Sequence, residues 1–395
     1  MDGKEKSKQS KMVIISSLLI CLVIGIAYCW SVFEKKLVQS YGWTNAQASL
    51  PYSTFMLAYA IMMLLGGKLQ RQLGMKRTCI AGALTLTTGL IVSTVFPTVA
   101  GITLGFGALT GAGQAMCYSC VISTPLKWCS SKKRGLISGL TTGAVGLTSI
   151  YMTPIITAVI STQNIRFGFL TMLAIVAPVL LLFSYQVDTP KEQSAATQNS
   201  GRLAVCTMLR QKALYQIFFL SFSCSLYGQI IVGHVANIAY VQAGIENGHF
   251  LVLLLSFSNC AGRFLCGVLS DYVAGPKLMR IVYGVGAVNI LLFAFYSNAP
   301  MLILGTLLIG FGYGASHSVI PTMISGCFGT KHFSSYFGLT SLAAGIAGVC
   351  GPLLAGYVMD INGSYTFAYF TSAICLLLAA LVSGRIQLFS KGTAI

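Results

Sequence analysis

Arg263 lies in the apolar run Phe257–Asp271, far enough from its ends to be placed inside the hydrocarbon core of a membrane. A cation at that depth costs at least ~2.5–3.5 kcal/mol, and such residues usually mark the path of a substrate or ion. The acidic residues of the chain all fall in predicted loops or at the ends of apolar stretches. We therefore expect the counter-ion of Arg263 to come from solution, which predicts a site for an anion.

A competing interpretation is that Arg263 extends toward the membrane surface. It precedes Asp271 by eight residues, which is about 12 Å along a helix at ~1.5 Å per residue. A long side chain can cover part of that distance. The two residues are not at i,i+4 spacing, so Asp271 is a poor direct counter-ion.

The composition indicates a polytopic membrane protein. Of the 395 residues, 55% are hydrophobic and only 8% are charged, and the apolar stretches approach the ~20 residues that a spanning helix needs. We predict an all-α protein with twelve transmembrane helices. The predicted spans are roughly 12–33, 46–66, 78–97, 99–124, 135–160, 167–187, 213–241, 248–270, 278–296, 300–326, 335–360 and 364–384.

The net charge of +17 is explained by its distribution along the chain, not by binding to nucleic acid. Almost all basic residues fall before span 1, after span 12 and in alternate loops, whereas the opposite side carries only Lys35, Lys36 and Arg166. The positive-inside rule then places both termini in the cytoplasm. We expect a multi-pass protein of the cell (inner or plasma) membrane, with the lipid bilayer as its surroundings.

The chain divides into two halves of six spans. A polar stretch at about 188–212 has the composition of a linker, which predicts bundles at 1–187 and 213–395. Short motifs recur at an offset near 200. These pairs are Gly67-Lys-Leu-Gln-Arg-Gln with Gly267-Val-Leu-Ser-Asp-Tyr, Gly139-Leu-Thr-Thr with Gly338-Leu-Thr-Ser, and Gly111-Ala-Gly-Gln with Gly312-Tyr-Gly-Ala.

Parallel halves of six helices resemble the major facilitator superfamily, in which a substrate site lies near the midplane and access to it alternates. The segment Gly67–Arg77 resembles the loop signature of that superfamily, with Arg71 in place of the usual aspartate. The second copy retains the acid as Asp271. The resemblance implies that Asp271, Arg71 and the basic loops gate the cytoplasmic side, and a solvated loop charge is the alternative.

Three segments narrow the resemblance to the oxalate/formate antiporter family, close to the bacterial monocarboxylate transporters. They are Gly25–Phe33 followed by Tyr41–Thr44, Asn259–Asp271 and Phe328–Leu339. The resemblance implies that Arg263 binds a substrate carboxylate. Relatives that take oxalate carry a lysine where this chain has Ala344, and animal monocarboxylate transporters carry an aspartate where it has Asn259.

These two departures bear on the substrate and on coupling. A dianion that faces one arginine keeps an unpaired charge at low dielectric, whereas a monoanion balances it. We therefore favour a small monocarboxylate such as formate, lactate or pyruvate, with oxalate:formate antiport as the alternative. Asn259 can bind substrate or Arg263 but does not titrate, so the candidates to carry a proton are His317, His234 and, at the membrane edge, Asp271. A hydrogen-bonded structural role is the alternative for each histidine. Exchange or facilitated diffusion is slightly favoured over proton symport.

Four tyrosines occupy places where the family's cavity is lined by aromatic side chains. Each can equally be a core or lipid-interface residue. They are Tyr28, Tyr118, Tyr227 and Tyr313.

The spans contain no carboxylate pair, no nucleophile with a base and no metal-ligand cluster, so we predict no enzyme activity, no cofactor and no metal. Cys117-Tyr-Ser-Cys120 is read as packing, because it lies in an apolar helix without a partner motif. We expect a monomer. A membrane receptor that transports nothing is the remote alternative.

Overall fold

The computed structural model describes residues 3–190, 208–245, 249–330 and 333–386. Within these ranges the regular structure is helical throughout, and no strand occurs. Most of the predicted linker at 188–212 lies outside the described residues. The all-α architecture predicted from the sequence is confirmed.

The helices up to residue 183 are separated by short turns. They are α1 (Gly3–Ile24), α2 (Trp30–Tyr41), α3 (Asn45–Leu73), α4 (Met75–Val95), α5 (Val99–Ile102), α6 (Gly111–Trp128), α7 (Arg134–Thr162) and α8 (Ile165–Phe183). The helices after residue 211 are α9 (Lys212–Ala243), α10 (His249–Tyr272), α11 (Gly275–Phe293), α12 (Ala299–Phe328), α13 (Phe333–Asn362) and α14 (Thr366–Ser383).

Eleven helical stretches among the described residues are long and apolar enough to cross a membrane. Many of their large apolar side chains are exposed, as lipid-facing positions require. The predicted span at 99–124 is helical as well, but it consists of α5, a π-helical segment at Thr103–Thr110, and α6. In that segment the Thr110 hydroxyl donates to the Gly105 carbonyl five residues earlier, at 3.0 Å.

The first predicted span is also interrupted, by a 3-10 turn at Gly25–Cys29 between α1 and α2. Side chains of α7 cause this break. The Leu22 carbonyl accepts from the Thr148 hydroxyl at 2.7 Å and the Tyr151 hydroxyl at 2.8 Å, and the Gly25 N–H donates to Thr148 Oγ1. A side chain at Gly25 would overlap the Val145 carbonyl. Discontinuous helices are typical of transporter sites, since they present backbone groups and side chains inside the membrane.

The chain forms two compact units. Unit 1 comprises Met1–Ser130, Ala144–Gly201 and Thr330–Gly338, and unit 2 comprises Ser131–Gly143, Arg202–Gly329 and Leu339–Ile395. Two helices therefore contribute to both units. The first residues of α7 belong to unit 2, and the first residues of α13 belong to unit 1.

An aromatic cluster forms the centre of unit 1. The ring centroids of Trp30 and Phe106 are 4.7 Å apart, those of Phe33 and Phe169 are 4.4 Å apart, and Phe55 stacks on Phe106 at 5.4 Å. Trp30 and Phe33 come from the segment Gly25–Phe33, so these two residues of the distinctive first motif serve packing. Their burial fixes α2 against α3, the π-helical segment and α8.

Unit 2 is built on close packing of α10 with α12. A Cβ atom at Gly262 would overlap the Phe311 carbonyl, and one at Gly314 would overlap the Asn259 carbonyl. Glycine lets the two backbones approach to a distance that no other residue permits, as in other membrane helix pairs. This contact fixes the position of Asn259 and, one turn later, of Arg263.

Candidate functional site

The predicted site residues are distributed over both units. Tyr28, Tyr118 and Arg71 belong to unit 1. The larger group belongs to unit 2, and it consists of Arg263, Asn259, Tyr227, Tyr313, His317 and Asp271.

Arg263 is buried, with 1% of its surface exposed. Its Nε donates to Asn259 Oδ1 at 2.8 Å, and its Nη1 donates to the Thr142 carbonyl oxygen at 2.8 Å. Both of these acceptors are uncharged. They orient the guanidinium within the membrane-spanning part of the chain.

Asn259 lies one turn before Arg263 on α10, where i,i+4 side chains meet. Only its Oδ1 can accept from Arg263, because an arginine has no acceptor, and this assignment fixes the orientation of the amide. Its Nδ2 is buried and has no hydrogen-bond acceptor among the described residues. A buried donor without an acceptor costs roughly 1–3 kcal/mol, so the position favours a ligand that accepts.

His317 and Tyr313 lie one turn apart on α12, with their rings edge to face at 4.7 Å. The His317 Nδ1 lies 2.9 Å from the Tyr313 carbonyl oxygen. The Tyr313 hydroxyl accepts from Gln229 Nε2 of α9 at 3.1 Å. No sequence pattern distinguishes Gln229, because it is an isolated amide in an apolar helix.

His317 lies at the depth of Arg263. Gly310 packs against Leu255, and Gly314 packs against Asn259, so α10 and α12 run in the same direction side by side. His317 and Arg263 each lie about one helical turn beyond the contact of Gly314 with Asn259. An electrostatic interaction links the His317 and Arg263 side chains. Unit 2 thus brings together Arg263, Asn259, His317 and Tyr313.

Tyr227 takes a different position within unit 2. Its ring packs close to Gly286 of α11 and Gly312 of α12, and 1% of the residue is exposed. Its hydroxyl has no hydrogen-bond partner in the part of the chain that the structure describes. The surroundings of this ring are those of a packing residue between helices.

The two tyrosines of unit 1 differ in exposure. Tyr28 lies on the 3-10 turn that interrupts the first span, and 44% of it is exposed, whereas the other residues of that turn are buried. Tyr118 is buried on α6, with its ring 6.2 Å from Tyr59 and 6.1 Å from Phe337. Of the two, Tyr28 has the position of a side chain that lines open space.

Asp271 caps the beginning of α7. Its Oδ1 accepts from the Gly135 N–H at 2.6 Å and its Oδ2 accepts from the Leu136 N–H at 2.8 Å. The first N–H groups of a helix have no partner within the helix and carry a partial positive charge, so a carboxylate is favourable there. A Cβ atom at Gly135 would overlap the Gly267 carbonyl, so glycine is needed for α7 to approach α10 this closely.

Arg71, the counterpart of Asp271 in the first motif, contacts the beginning of α13. Its Nη1 donates to the hydroxyl of Ser335, the third residue of α13. A cation near a helix N-terminus is electrostatically unfavourable. Each motif copy therefore contacts the start of a helix, but Asp271 carries a negative charge there and Arg71 a positive one.

In the described residues no group of three or more His, Cys, Asp or Glu side chains is arranged to hold a metal ion. The described cysteines, including Cys117 and Cys120, carry free thiols. The Cys117 and Cys120 thiols donate to the Cys79 and Met75 carbonyls. They pack α6 against α4, and these contacts are structural.

Residues 13–288 and 218–386 match the profile of the Major Facilitator Superfamily. The chain belongs to this superfamily, and it is a membrane transporter rather than an enzyme. The solved structure of the Escherichia coli fucose:proton symporter FucP superposes with a TM-score of 0.76 at 15% identity, covering 95% of this chain and 99% of the symporter. That likeness confirms the predicted fold.

Relatives of similar length are found among transporters. The uncharacterized MFS-type transporter YhjX of Escherichia coli (strain K12) is 26% identical over 348 residues, which is 86% of each chain. The oxalate:formate antiporter of Oxalobacter formigenes is 23% identical over 380 residues, covering 93% of this chain and 88% of the antiporter. Human monocarboxylate transporter 12 is 20% identical and covers 96% of this chain and 81% of its own.

Proposed function

We propose that the protein carries a small monocarboxylate across the membrane, such as formate, lactate or pyruvate, and that Arg263 and Asn259 bind its carboxylate. The similarity to the oxalate:formate antiporter and to monocarboxylate transporter 12 supports this substrate class. Transport proceeds by alternating access, as exchange or linked to a proton. Both termini lie in the cytoplasm, and the transporter acts as a monomer.

The observation that carries the proposal is the buried amide of Asn259 beside the Arg263 guanidinium. Its Oδ1 is used by Arg263, and its Nδ2 has no acceptor in the described ranges. A carboxylate has two oxygens that only accept hydrogen bonds. One such group beside Arg263 would give the amide an acceptor and would accept charge-assisted hydrogen bonds from the guanidinium. Charge-assisted hydrogen bonds of this kind are about twice as strong as neutral ones.

Other residues have supporting roles in this proposal. Tyr313 and His317 line the space beyond the carboxylate, Tyr227 packs between the helices of the same unit, and no metal or cofactor takes part. Tyr28 and Tyr118 remain predicted substrate contacts of unit 1. Asp271 and Arg71 gate access from the cytoplasm through their contacts with helix starts.

Oxalate:formate exchange is the second candidate, supported by the similarity to the antiporter of Oxalobacter formigenes. It requires a second cation to balance the second carboxylate. The sequence has Ala344 where oxalate-transporting relatives have a lysine. Monocarboxylate transport is favoured because one buried cation balances one negative charge.

Counterflow in proteoliposomes tests the proposal. Vesicles that contain the purified protein are loaded with unlabelled formate, lactate or pyruvate, and the entry of the labelled anion is measured. Arg263→Ala should lower this entry by roughly 30-fold or more, because removing one partner of a buried charge pair costs about 2–5 kcal/mol. Arg263→Lys should give an intermediate rate, since lysine keeps the charge but not the planar pair of donors.

The matched control is Arg166→Ala, which removes an exposed arginine at the beginning of α8. Its counterflow should equal that of the original protein. Size-exclusion chromatography and a thermal melt establish that each variant is folded. Folded Arg263→Ala protein with undiminished counterflow would rule out Arg263 as the carboxylate anchor.

A further inference from the structure

The imidazole of His317 has a fixed tautomer. Its Nδ1 faces the Tyr313 carbonyl oxygen at 2.9 Å, and a carbonyl can only accept. The hydrogen of the neutral ring must therefore be on Nδ1. The other nitrogen, Nε2, then carries a lone pair and acts as an acceptor.

The tautomer is held in place by the helix itself. Tyr313 and His317 are separated by one turn of α12, so the hydrogen bond joins a side chain to the backbone of its own helix. The Tyr313 ring packs edge to face against the imidazole, and Gln229 holds the Tyr313 hydroxyl from α9. These contacts restrict rotation of the imidazole, so Nε2 keeps its direction.

The location of this acceptor matters because His317 lies at the depth of Arg263, as the pairing of α10 with α12 shows. His317 is partly exposed, whereas its neighbours Ser316 and Ser318 are buried. In a 2-substituted monocarboxylate the second oxygen is attached to the carbon next to the carboxylate. A side chain that recognises this oxygen must therefore lie close to Arg263 and Asn259.

We propose that His317 selects the substituent at C2, so that the site takes 2-hydroxy monocarboxylates in preference to 2-oxo monocarboxylates. This inference rests on the proposed function. A 2-hydroxyl donates its hydrogen to His317 Nε2. A 2-oxo group has only lone pairs, which would face the lone pair of Nε2, so both acceptors would stay unsatisfied.

The three-carbon series of propionate, lactate and pyruvate isolates this effect, because its members share the carboxylate and differ at C2. Each is used to compete with labelled formate or lactate in counterflow. Lactate should bind tighter than either analogue by roughly three- to tenfold, the range that one net hydrogen bond of about 0.5–1.5 kcal/mol provides.

Two substitutions test the role of His317 itself. His317→Gln places an amide near the position of Nε2, and an amide can turn either its donor or its acceptor to the substrate. Pyruvate should then gain affinity relative to lactate, by roughly the same three- to tenfold factor. His317→Phe keeps an aromatic ring but has neither donor nor acceptor, so the lactate-to-pyruvate ratio should approach one. Loss of structure would lower the affinity for both substrates, so it would not explain a gain in affinity for pyruvate.

His234→Gln is the matched control, because His234 Nε2 is bonded to the Pro352 carbonyl of α13. Its lactate-to-pyruvate ratio should equal that of the original protein. Equal affinity for lactate and pyruvate in the original protein, or an equal loss of both in His317→Gln, would overturn the inference and leave monocarboxylate transport in place. Absence of counterflow for every carboxylate would instead overturn the proposed function. If a variant does not fold, the comparison of lactate with pyruvate in the original protein still tests the predicted preference.

Discussion

Among single residues, Asn259 is the one whose amide groups separate two contacts. Its Oδ1 accepts from Arg263, and its buried Nδ2 has no acceptor among the described residues. An aspartate at this position would carry a negative charge and no donor. In the proposed function, where Arg263 attracts a free anion, the neutral amide is therefore the more suitable neighbour.

Asn259→Asp should make transport depend on pH. At neutral pH the new carboxylate is ionised and forms an ion pair with Arg263. The guanidinium is then less available to a substrate anion, so counterflow should fall by roughly tenfold or more. As the pH is lowered the carboxylate binds a proton, its charge disappears, and counterflow should recover. The measurement is the ratio of rates in acidic and neutral buffer, divided by the same ratio for the original protein.

Asn259→Leu, which has neither charge nor hydrogen-bonding groups, serves as the control. Its counterflow should fall by the same factor in both buffers. If Asn259→Asp is as active as the original protein at neutral pH, Asn259 does not share a carboxylate site with Arg263.

The sequence predicted the burial of Arg263 and an interaction between Asn259 and Arg263, because i,i+4 spacing on a helix depends only on position in the chain. It did not predict the contact with Thr142. The acceptor there is a backbone carbonyl on α7, more than a hundred residues away in the chain. Any residue presents such a carbonyl, so only the packing of helices reveals this partner.

At the scale of helices, the start of α7 is held by Asp271, and the start of α13 is contacted by Arg71. A carboxylate at a helix N-terminus contributes about 0.3–1 kcal/mol, and up to ~2 kcal/mol when it is partly buried. The cation at Arg71 has the opposite sign. Comparison of the two motif copies in the sequence predicted that Arg71 and Asp271 differ in charge. The structure shows that Asp271 contacts the start of α7 and Arg71 the start of α13.

Asp271→Asn should lower the thermal stability of the protein, because one carbonyl oxygen replaces a carboxylate that accepts from two N–H groups. Arg71→Gln should leave the melting temperature unchanged or raise it, since it removes a cation near the start of α13. A thiol-reactive fluorescent dye reports unfolding, because most described cysteines are buried. Equal melting temperatures for the two variants would show that Asp271 does not stabilise α7.

The sequence predicted the first and fourth spans but not the interruptions within them. Hydropathy predicted both spans, since it depends on average composition. The 3-10 turn arises because the Thr148 and Tyr151 hydroxyls of α7 take the Leu22 carbonyl from its own helix. The π-helical segment includes Gly105, whose carbonyl accepts from Thr110. These hydrogen bonds join side chains to backbone groups, and a hydropathy pattern does not contain them.

At the scale of the whole molecule, the charges separate into two classes. The chain has 25 basic and 8 acidic residues, and all of the basic residues except Arg263 lie in loops, at span ends or in the terminal segments. The loop charges set orientation in the membrane. In the proposed function, Arg263 is the basic residue that pairs with the charge of the bound substrate. This balance can be changed by adding one more cation.

Ala344→Lys should convert the charge preference of the transporter. Ala344 lies on α13 in unit 2, and the family resemblance implies a lysine at this place in relatives that take oxalate. With two cations, a dianion is balanced and a monoanion is left with an excess positive charge, and each unbalanced buried charge costs about 3–5 kcal/mol. The variant should therefore gain oxalate counterflow and lose formate or lactate counterflow, whereas the uncharged control Ala344→Gln should gain no oxalate transport. Oxalate counterflow as fast as that of formate in the original protein would contradict the charge argument, because one arginine would then suffice for a dianion.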